Sequence, residues 1–471
     1  MHLLSLIRKI PIVRAVIELN TAPRKYLAFT SFNVISWQCI VGPAMVLFAR
    51  TIGMPADRVG ILISLLPFTT LLAVFMVPLV TRIGPKNLML YTWLIRNLIM
   101  LPIFAMPFVI AQFGDKAGWA LLITLTLGFC LARAFGAGGW LPWLHEVVPY
   151  EQRGLYFSAE AGTVQLVNVA ILLSQGFFLG KSPKVEQFLV IYAVGILGGL
   201  LSLFWMARVP GGKGQKAIIR WEDFYRPYGP VLKDKTYLLF LFPAFLALSA
   251  TNWFSSIYIL YLRDILKLSE RSILIISSSG SLFIMLTAPA WGRYSDKFGS
   301  SPAILRALLC HALLVIPFVE FIPRYPWVYY LVPILVVLIT IFSAAFWTSI
   351  HRAMLNMVPE NQRIPYTNLW TVTSGLALGI TPIVAGQVIY HLSWFGFQIS
   401  FIISSILCFI SAILCYVSIK EQKDYSNPPL IEFLNPKTAL TAVIEGFSIS
   451  FGFSQNMTKI NHEENREIPE G

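Results

Sequence analysis

The feature that most constrains this chain is a succession of long apolar runs, each close to the roughly 20 residues that cross a bilayer as a helix. About twelve can be counted, near residues 28 to 49, 59 to 81, 87 to 112, 117 to 143, 154 to 180, 186 to 207, 237 to 262, 272 to 291, 303 to 322, 326 to 350, 365 to 390 and 396 to 418. With 56% hydrophobic and 13% charged residues among 471, and a mean hydropathy of +0.69, a soluble protein of several domains is excluded. The expected class is an all-α polytopic membrane protein.

The net charge of +13 would suit nucleic acid, but its distribution argues for a membrane surface instead. One set of loops carries only Arg50, Arg58, Lys116, Lys181, Lys184, Arg263, Lys267, Arg271 and Arg324. The other holds nearly all the rest, including Arg8, Lys9, Arg14, Arg24 and Lys25 before the first run and Lys213, Lys216, Arg220, Arg226, Lys233 and Lys235 in the middle. That asymmetry places both termini and the central loop in the cytoplasm, at the plasma membrane, with anionic headgroups as partners and nucleic acid excluded. Cys39, Cys130, Cys310, Cys408 and Cys415 all fall inside expected spans, so no disulfide or metal framework follows. The basic N-terminal residues precede no separate h-region and cleavage site, and no removable signal peptide is expected.

The two halves of the chain repeat one another. VPYEQRGLYFS from Val148 matches VPENQRIPYTN from Val358, pairing Arg153 with Arg363 and Tyr156 with Tyr366, while Arg82, Ile83 and Gly84 take the place of Lys297, Phe298 and Gly299. The expected division is a cytoplasmic segment 1–25, a six-helix bundle 26–208, a linker 209–236, a second bundle 237–420 and a cytoplasmic tail 421–471. In the linker, WEDFYRPYGP from Trp221 suits a short interfacial helix; in the tail, Ala439 to Phe453 suits an interfacial segment, and the Glu-rich end suits disorder.

Between two of the runs lies WGRYSDKFG, Trp291 to Gly299. It is expected to be a short turn in which Gly292 and Gly299 let backbones approach and Asp296 and Lys297 sit at the membrane surface. The spacing G-x-x-x-D-K-x-G resembles the signature loop of the major facilitator superfamily, although Ser300 and Ser301 replace its closing basic pair. The first-half copy keeps Arg82, Gly84 and Lys86 but has Val77 and Thr81 where the pattern has Gly and Asp. The resemblance, over about residues 26 to 420, implies two pseudo-symmetric six-helix bundles. It further implies a cytoplasmic gate of Arg82, Gly84, Arg153, Gly292, Asp296, Lys297, Gly299 and Arg363, with Asp296 against the helix start near Arg153 and Gly154. The matching start near Arg363 and Pro365 lacks its acid. The competing reading is that these loops only set topology and end helices.

Charge inside a span is expensive, so each instance is a functional candidate. Arg96, Arg133 and Glu160 qualify, while Glu320 lies near an end. Arg133 and Glu160, on consecutive spans, are expected to reach one another as an ion pair; their second-half counterparts are Ser343 and Trp370, so the fold does not need the charges. A purely structural pair stays open. By resemblance Arg96 would be peripheral. AFGAGG after Arg133 resembles, one residue out of register, the arginine motif of drug and proton antiporters. Gly375, Gly379, Pro382 and Gly386 suit close helix packing with a kink.

By resemblance the solute would bind at the midplane between the bundles. The candidate lining and coupling residues are Asn33, Gln38, Arg133, Glu160, Gln165, Asn168, Asn252, Trp253, Ser278, Trp347 and Thr373, each of which could equally be an interhelical hydrogen bond. The expected function is secondary active transport of a small solute by alternating access, with protons the candidate coupling ion and a monomer the expected state. No nucleotide-binding loop, zinc motif or convergent catalytic set is present, so neither cofactor nor enzyme is expected. A transporter-like sensor or scaffold is the competing class.

Overall fold

The computed structural model describes residues 16–149, 152–214, 228–319, 328–359 and 363–419. The expected interfacial helix of the linker falls mostly, and the expected tail segments wholly, outside the described residues. Eleven helices are long and apolar enough to cross a membrane. They are α1 (Thr21–Thr51), α2 (Ala56–Met76, continued by Val77–Ile83), α3 (Pro85–Phe113), α4 (Asp115–Ala137), α5 (Arg153–Leu179), α6 (Val185–Ala207), α7 (Lys235–Ile265), α8 (Glu270–Phe298), α9 (Ser300–Val319), α10 (Val328–Met357) and a last stretch, Arg363–Ser418. At about 1.5 Å per residue that last stretch is far longer than one crossing. It folds back at Ser393 (φ 51°, ψ −119°), where Gly396 lies against Ile389 and Val388. It therefore makes two crossings, α11 (363–392) and α12 (394–418), twelve in all among the described residues.

Prolines shape several of these helices. α1 pauses at Val41 and Gly42 and restarts on Pro43, where the missing N–H leaves no intrahelical bond unmade. α2 tightens into 3₁₀ geometry at Leu71–Met76, just past Pro67, and α7 widens into one π turn at Tyr261–Ile265. The α2–α3 and α8–α9 turns consist of one residue each, Gly84 (φ 93°) and Gly299 (φ 89°), in a backbone region that a side chain would disfavour. WGRYSDKFG is accordingly no loop: it is the last two turns of α8, and only Gly299 breaks the helix. The expectation that Gly292 permits close approach is corrected, since a β-carbon there would meet only open space.

α1 to α6 form one half and α7 to α12 the other. In the first half α1 packs on α6 and α5, and α3 on α4 and α6; in the second, α7 packs on α11 and α12, and α9 on α10 and α12. The halves meet through two crossings that the repeat relates, α2 on α11 and α5 on α8. Along α11, Gly375 faces Pro67 and Leu71, Gly379 faces Phe68, and Gly386 faces Ala56 and Gly60; Gly60 in turn lies against Pro382. The α11 glycine row is thus a packing face, and a β-carbon at Gly386 would come within 2.7 Å of the Ala56 carbonyl oxygen.

The C-terminal ends of α2, α4, α8 and α10 lie on the same side as the start of α1 and the end of α6, here the terminal face; the opposite ends of these helices define the far face. The linker leaves α6 anchored to the first half. Lys86 Nζ donates to the carbonyls of Ala207 (2.9 Å) and Val209 (2.6 Å), Trp143 Nε1 to that of Pro210 (3.0 Å), and the Gly212 N–H to Glu146 Oε2 (2.8 Å).

If the α2–α11 crossing depends on these glycines, Gly60→Val should overpack it and lower stability by about 1 to 3 kcal/mol. Gly292→Ala, in open space, should leave stability unchanged. Melting temperatures of the two purified variants in one detergent check the contrast.

Candidate functional site

A cavity of about 470 Å³ lies between the halves, lined from α1 by Trp37, Gln38, Val41 and Met45, from α2 by Leu62 and Leu66, and from α4 by Thr126 and Cys130. The second half contributes Asn252, Ser255 and Tyr258 from α7, Thr340 and Ser343 from α10, and Leu378 from α11. Both bundles thus wall one space, mostly apolar with scattered hydroxyl and amide groups.

Of the residues expected to line a site, Gln38 and Asn252 do so. Gln38 donates to Asn168 Oδ1 (2.9 Å), and Asn168 donates to Gln165 Oε1 (3.4 Å), so these three form one chain of amides from α1 to α5. Asn252 donates to the Leu378 carbonyl (3.1 Å) across the α7–α11 crossing. Ser278 is buried and bridges the halves by donating to the Val169 carbonyl (3.2 Å). The others do not reach the cavity wall. Trp253 is packed in the apolar core, Trp347 stacks on His351 (5.3 Å between centroids), and Thr373 returns its hydroxyl to the Leu369 carbonyl (2.9 Å) of its own helix.

The expected Arg133–Glu160 ion pair is not formed. Their helices are consecutive in sequence but pack on different neighbours, α4 on α3 and α2, α5 on α8 and α1. Arg133 lies with its guanidinium 4.7 Å from the centre of the Trp37 ring. Glu160 accepts from Tyr156 OH (3.2 Å) and Thr30 Oγ1 (3.3 Å), and Tyr156 packs edge-on against Tyr26 (6.2 Å). The second half repeats this clasp: Tyr366 meets Tyr237 edge-on (4.7 Å) and donates to Asp234 Oδ2 (2.8 Å), while Asp234 Oδ1 caps the start of α7 through the N–H groups of Thr236 and Tyr237. The carboxylate has moved from α5 in one half to the N-cap of α7 in the other.

Arg96, expected to be peripheral, is 0% exposed. It donates to Asn33 Oδ1 (2.6 Å), which also accepts from Trp93 Nε1 (3.0 Å), and its guanidinium lies over Trp93 and Phe129. The signal for it was present in the sequence, an arginine within the third span and an asparagine within the first.

On the far face the halves are tied by charge. Arg50 at the end of α1 grips Asp264 at the end of α7 through two contacts, Nη2 to Oδ2 (2.8 Å) and Nε to Oδ1 (3.3 Å). Arg263 beside it bonds Thr51 (3.1 Å) and Glu270 (3.0 Å), and the Arg271 N–H bonds the Gly180 carbonyl (3.0 Å). On the terminal face, Gly84 abuts Gly212 and Gly214, and Arg82 is exposed. The side chains of Arg153, Asp296, Lys297 and Arg363 lie outside the described part, and with them the expected Asp296 latch.

Compared with known proteins, the sequence matches the profile described as the Major Facilitator Superfamily over residues 27–334 and 240–461. No curated protein matches it. Among solved structures it resembles the nucleoside transporter NupG, with a TM-score of 0.62 and 14% identity over 86% of this chain and 100% of that one. It also resembles a D-xylose-proton symporter, with a TM-score of 0.65 and 12% identity over 86% of this chain and 99% of that one. A bacterial homolog of the human lysosomal transporter Spinster, in an inward-facing and unoccupied conformation, gives a TM-score of 0.63 and 12% identity over 89% of this chain and 99% of that one. At such identities the likeness is one of fold.

Both members of the Arg50–Asp264 pair are about one-fifth exposed, so its worth is on the order of 0.2 to 1 kcal/mol. Asp264→Asn should therefore raise labelling of a cysteine at Asn252 from the far face by about 1.4- to fivefold. The exchanged pair, Arg50→Asp with Asp264→Arg, should bring labelling back toward the parent rate.

Proposed function

Because the chain belongs to the major facilitator superfamily, we propose that it is a secondary active transporter that carries a small solute by alternating access, with the cavity between its halves as the solute site. The observation that supports this most is the cavity itself, walled by α1, α2 and α4 on one side and α7, α10 and α11 on the other, so that a rocking of the halves would change which face it opens to. The contacts at Arg50–Asp264, Arg271–Gly180 and Gly60–Pro382 close it toward the far face. With the basic terminal face in the cytoplasm of the plasma membrane, the conformation is the inward-facing one. The Asp296 latch belongs to the opposite state. Cysteines placed at exposed Lys213 and exposed Asp115 should then label from opposite sides of sealed cells, Asp115→Cys from outside; labelling of both from one side would refute the orientation.

We assign proton coupling to Glu160. Its partners are hydroxyls, which can bond either protonation state of a carboxyl group, so a proton can come and go without breaking an ion pair. A second reading has its own observation: the Tyr366–Asp234 clasp shows the same arrangement at a helix start, where it serves packing. One experiment separates them. In vesicles containing the purified chain, loaded with a solute chosen by thermal-shift screening, Glu160→Gln should abolish accumulation driven by a pH gradient while solute exchange persists. Accumulation at the parent level would make Glu160 a clasp residue, and solute-induced stabilisation with no flux in either protein would favour a sensor.

A further inference from the structure

The described spans of the first half hold two arginines, one buried and one half-buried, with no carboxylate set against them. Arg96 makes one hydrogen bond, to Asn33, and its Nε and Nη1 are buried without a partner. Arg133, half-buried, has the Trp37 ring as its neighbour and no hydrogen bond among the described residues. Arg96 lies over Phe129, the residue before Cys130, and Cys130 belongs to the cavity wall. Arg133 follows Cys130 by three residues on α4, hence on the same face of the helix. Its repeat counterpart, Ser343, lines the cavity from the other half.

The nearby acids are otherwise occupied. Glu160 is held on the α5 side of α1 by Tyr156 and Thr30. Asp264 and Glu270 are bound to Arg50 and Arg263 at the far face, and Glu146 to the linker. Uncompensated charge in a membrane interior is costly and persists where a ligand or relay makes use of it.

Arg133 is not part of the cavity wall but lies behind it, against Trp37 and one turn from Cys130, both of which line the cavity. We propose that a small organic anion sets its anionic group, a carboxylate or a phosphate, at this Trp37–Cys130 wall toward Arg133, while the apolar wall takes its body. A guanidinium offers two parallel N–H donors that match either oxyanion. Arg96 stands behind as a positioning residue, fixed by Asn33 and adding a second positive field in a low dielectric. The inference rests on the cavity being the solute site and names the class of solute it takes.

The test needs no knowledge of the natural solute. In the full chain carrying Gln38→Cys, reaction rates with the negatively charged sulfonatoethyl and positively charged trimethylammonioethyl methanethiosulfonates are each divided by the rate with a free thiol. The negative reagent should be favoured by about tenfold. Arg133→Gln should bring the ratio close to one, and Arg133→Lys should restore most of it. In parallel, benzoate and phenyl phosphate should raise the melting temperature of the parent, which of the two does so more distinguishing carboxylate from phosphate. The neutral benzamide and the cation benzylammonium should not, and Arg133→Gln should lose the effect. A parent ratio at or below one, or a ratio indifferent to Arg133, overturns the proposal and leaves both arginines as structural charges. Should Arg133→Gln not fold, the parent ratio and Arg133→Lys still decide. Flux of benzylammonium through the parent would leave transport standing and sink the anion site; binding of benzoate or phenyl phosphate at Arg133 without flux would do the reverse.

Discussion

Inside hydrocarbon, apolar surface gains nothing by leaving lipid for protein, so helices associate only where they can pack closely enough for dispersion and backbone contacts to matter. The structure follows that rule at its centre. Exposed Phe108, Phe177, Leu239 and Phe395 suit a lipid-facing perimeter, while glycines mark where helices must touch. Gly195, Gly198 and Gly199 seat α6 on α1 and against Asn97 of α3; Gly60, Gly375, Gly379 and Gly386 seat α2 on α11; Gly176 seats α5 on α8. Two crossings related by the repeat are enough to join the halves. Joining them there, and not along a central seam, leaves the space between α1, α4, α7 and α10 unfilled, and that space is the cavity.

Duplication has preserved shape more faithfully than charge. Each half carries on its terminal side a tyrosine pair with a carboxylate, yet one acid comes from the body of α5 and the other from the residue ahead of α7. The two span arginines have no such substitute. Where the first half places Arg133, the second places Ser343, which contacts His311 (3.2 Å). The surroundings of the cavity are therefore electrically lopsided although its helices are arranged symmetrically.

Much of the architecture could be read from the residues, because span length and a repeated Val-Pro and Gln-Arg pattern are local properties of the chain. The packing role of Gly375, Gly379 and Gly386 was legible for the same reason, since a helical period exposes one face. What depends on which helices are neighbours was not. Arg133 and Glu160 suit each other in the sequence because their spans are consecutive, whereas each meets a different level of α1, Arg133 at Trp37 and Glu160 at Thr30, roughly two turns apart. The depth of Arg96 and the reach of Arg50 to Asp264 likewise depend on contacts between segments far apart in sequence. Hydrophobicity alone could not end α8 at Phe298, because the charged residues before it are helical and only Gly299 interrupts the backbone.

The linker is shorter in effect than its sequence. Residues 209 to 212 are fastened to α3 by Lys86 and to the short helix Trp140–Val147 that follows α4 by Trp143 and Glu146, and at the other end Asp234 both caps α7 and holds Tyr366 of α11. Each half thus owns one end of the tether outright. Lys213 and Gly214 lie against Gly84, Tyr228 accepts from Asn368 (2.8 Å) and Val231 is buried, so the tether between the anchorages is residues 215 to 227, whose fully extended reach is on the order of 45 Å. A leash of that length does not steer the halves. It does keep each at millimolar effective concentration for the other, so a parted pair would re-dock with its own partner before meeting that of a neighbouring molecule.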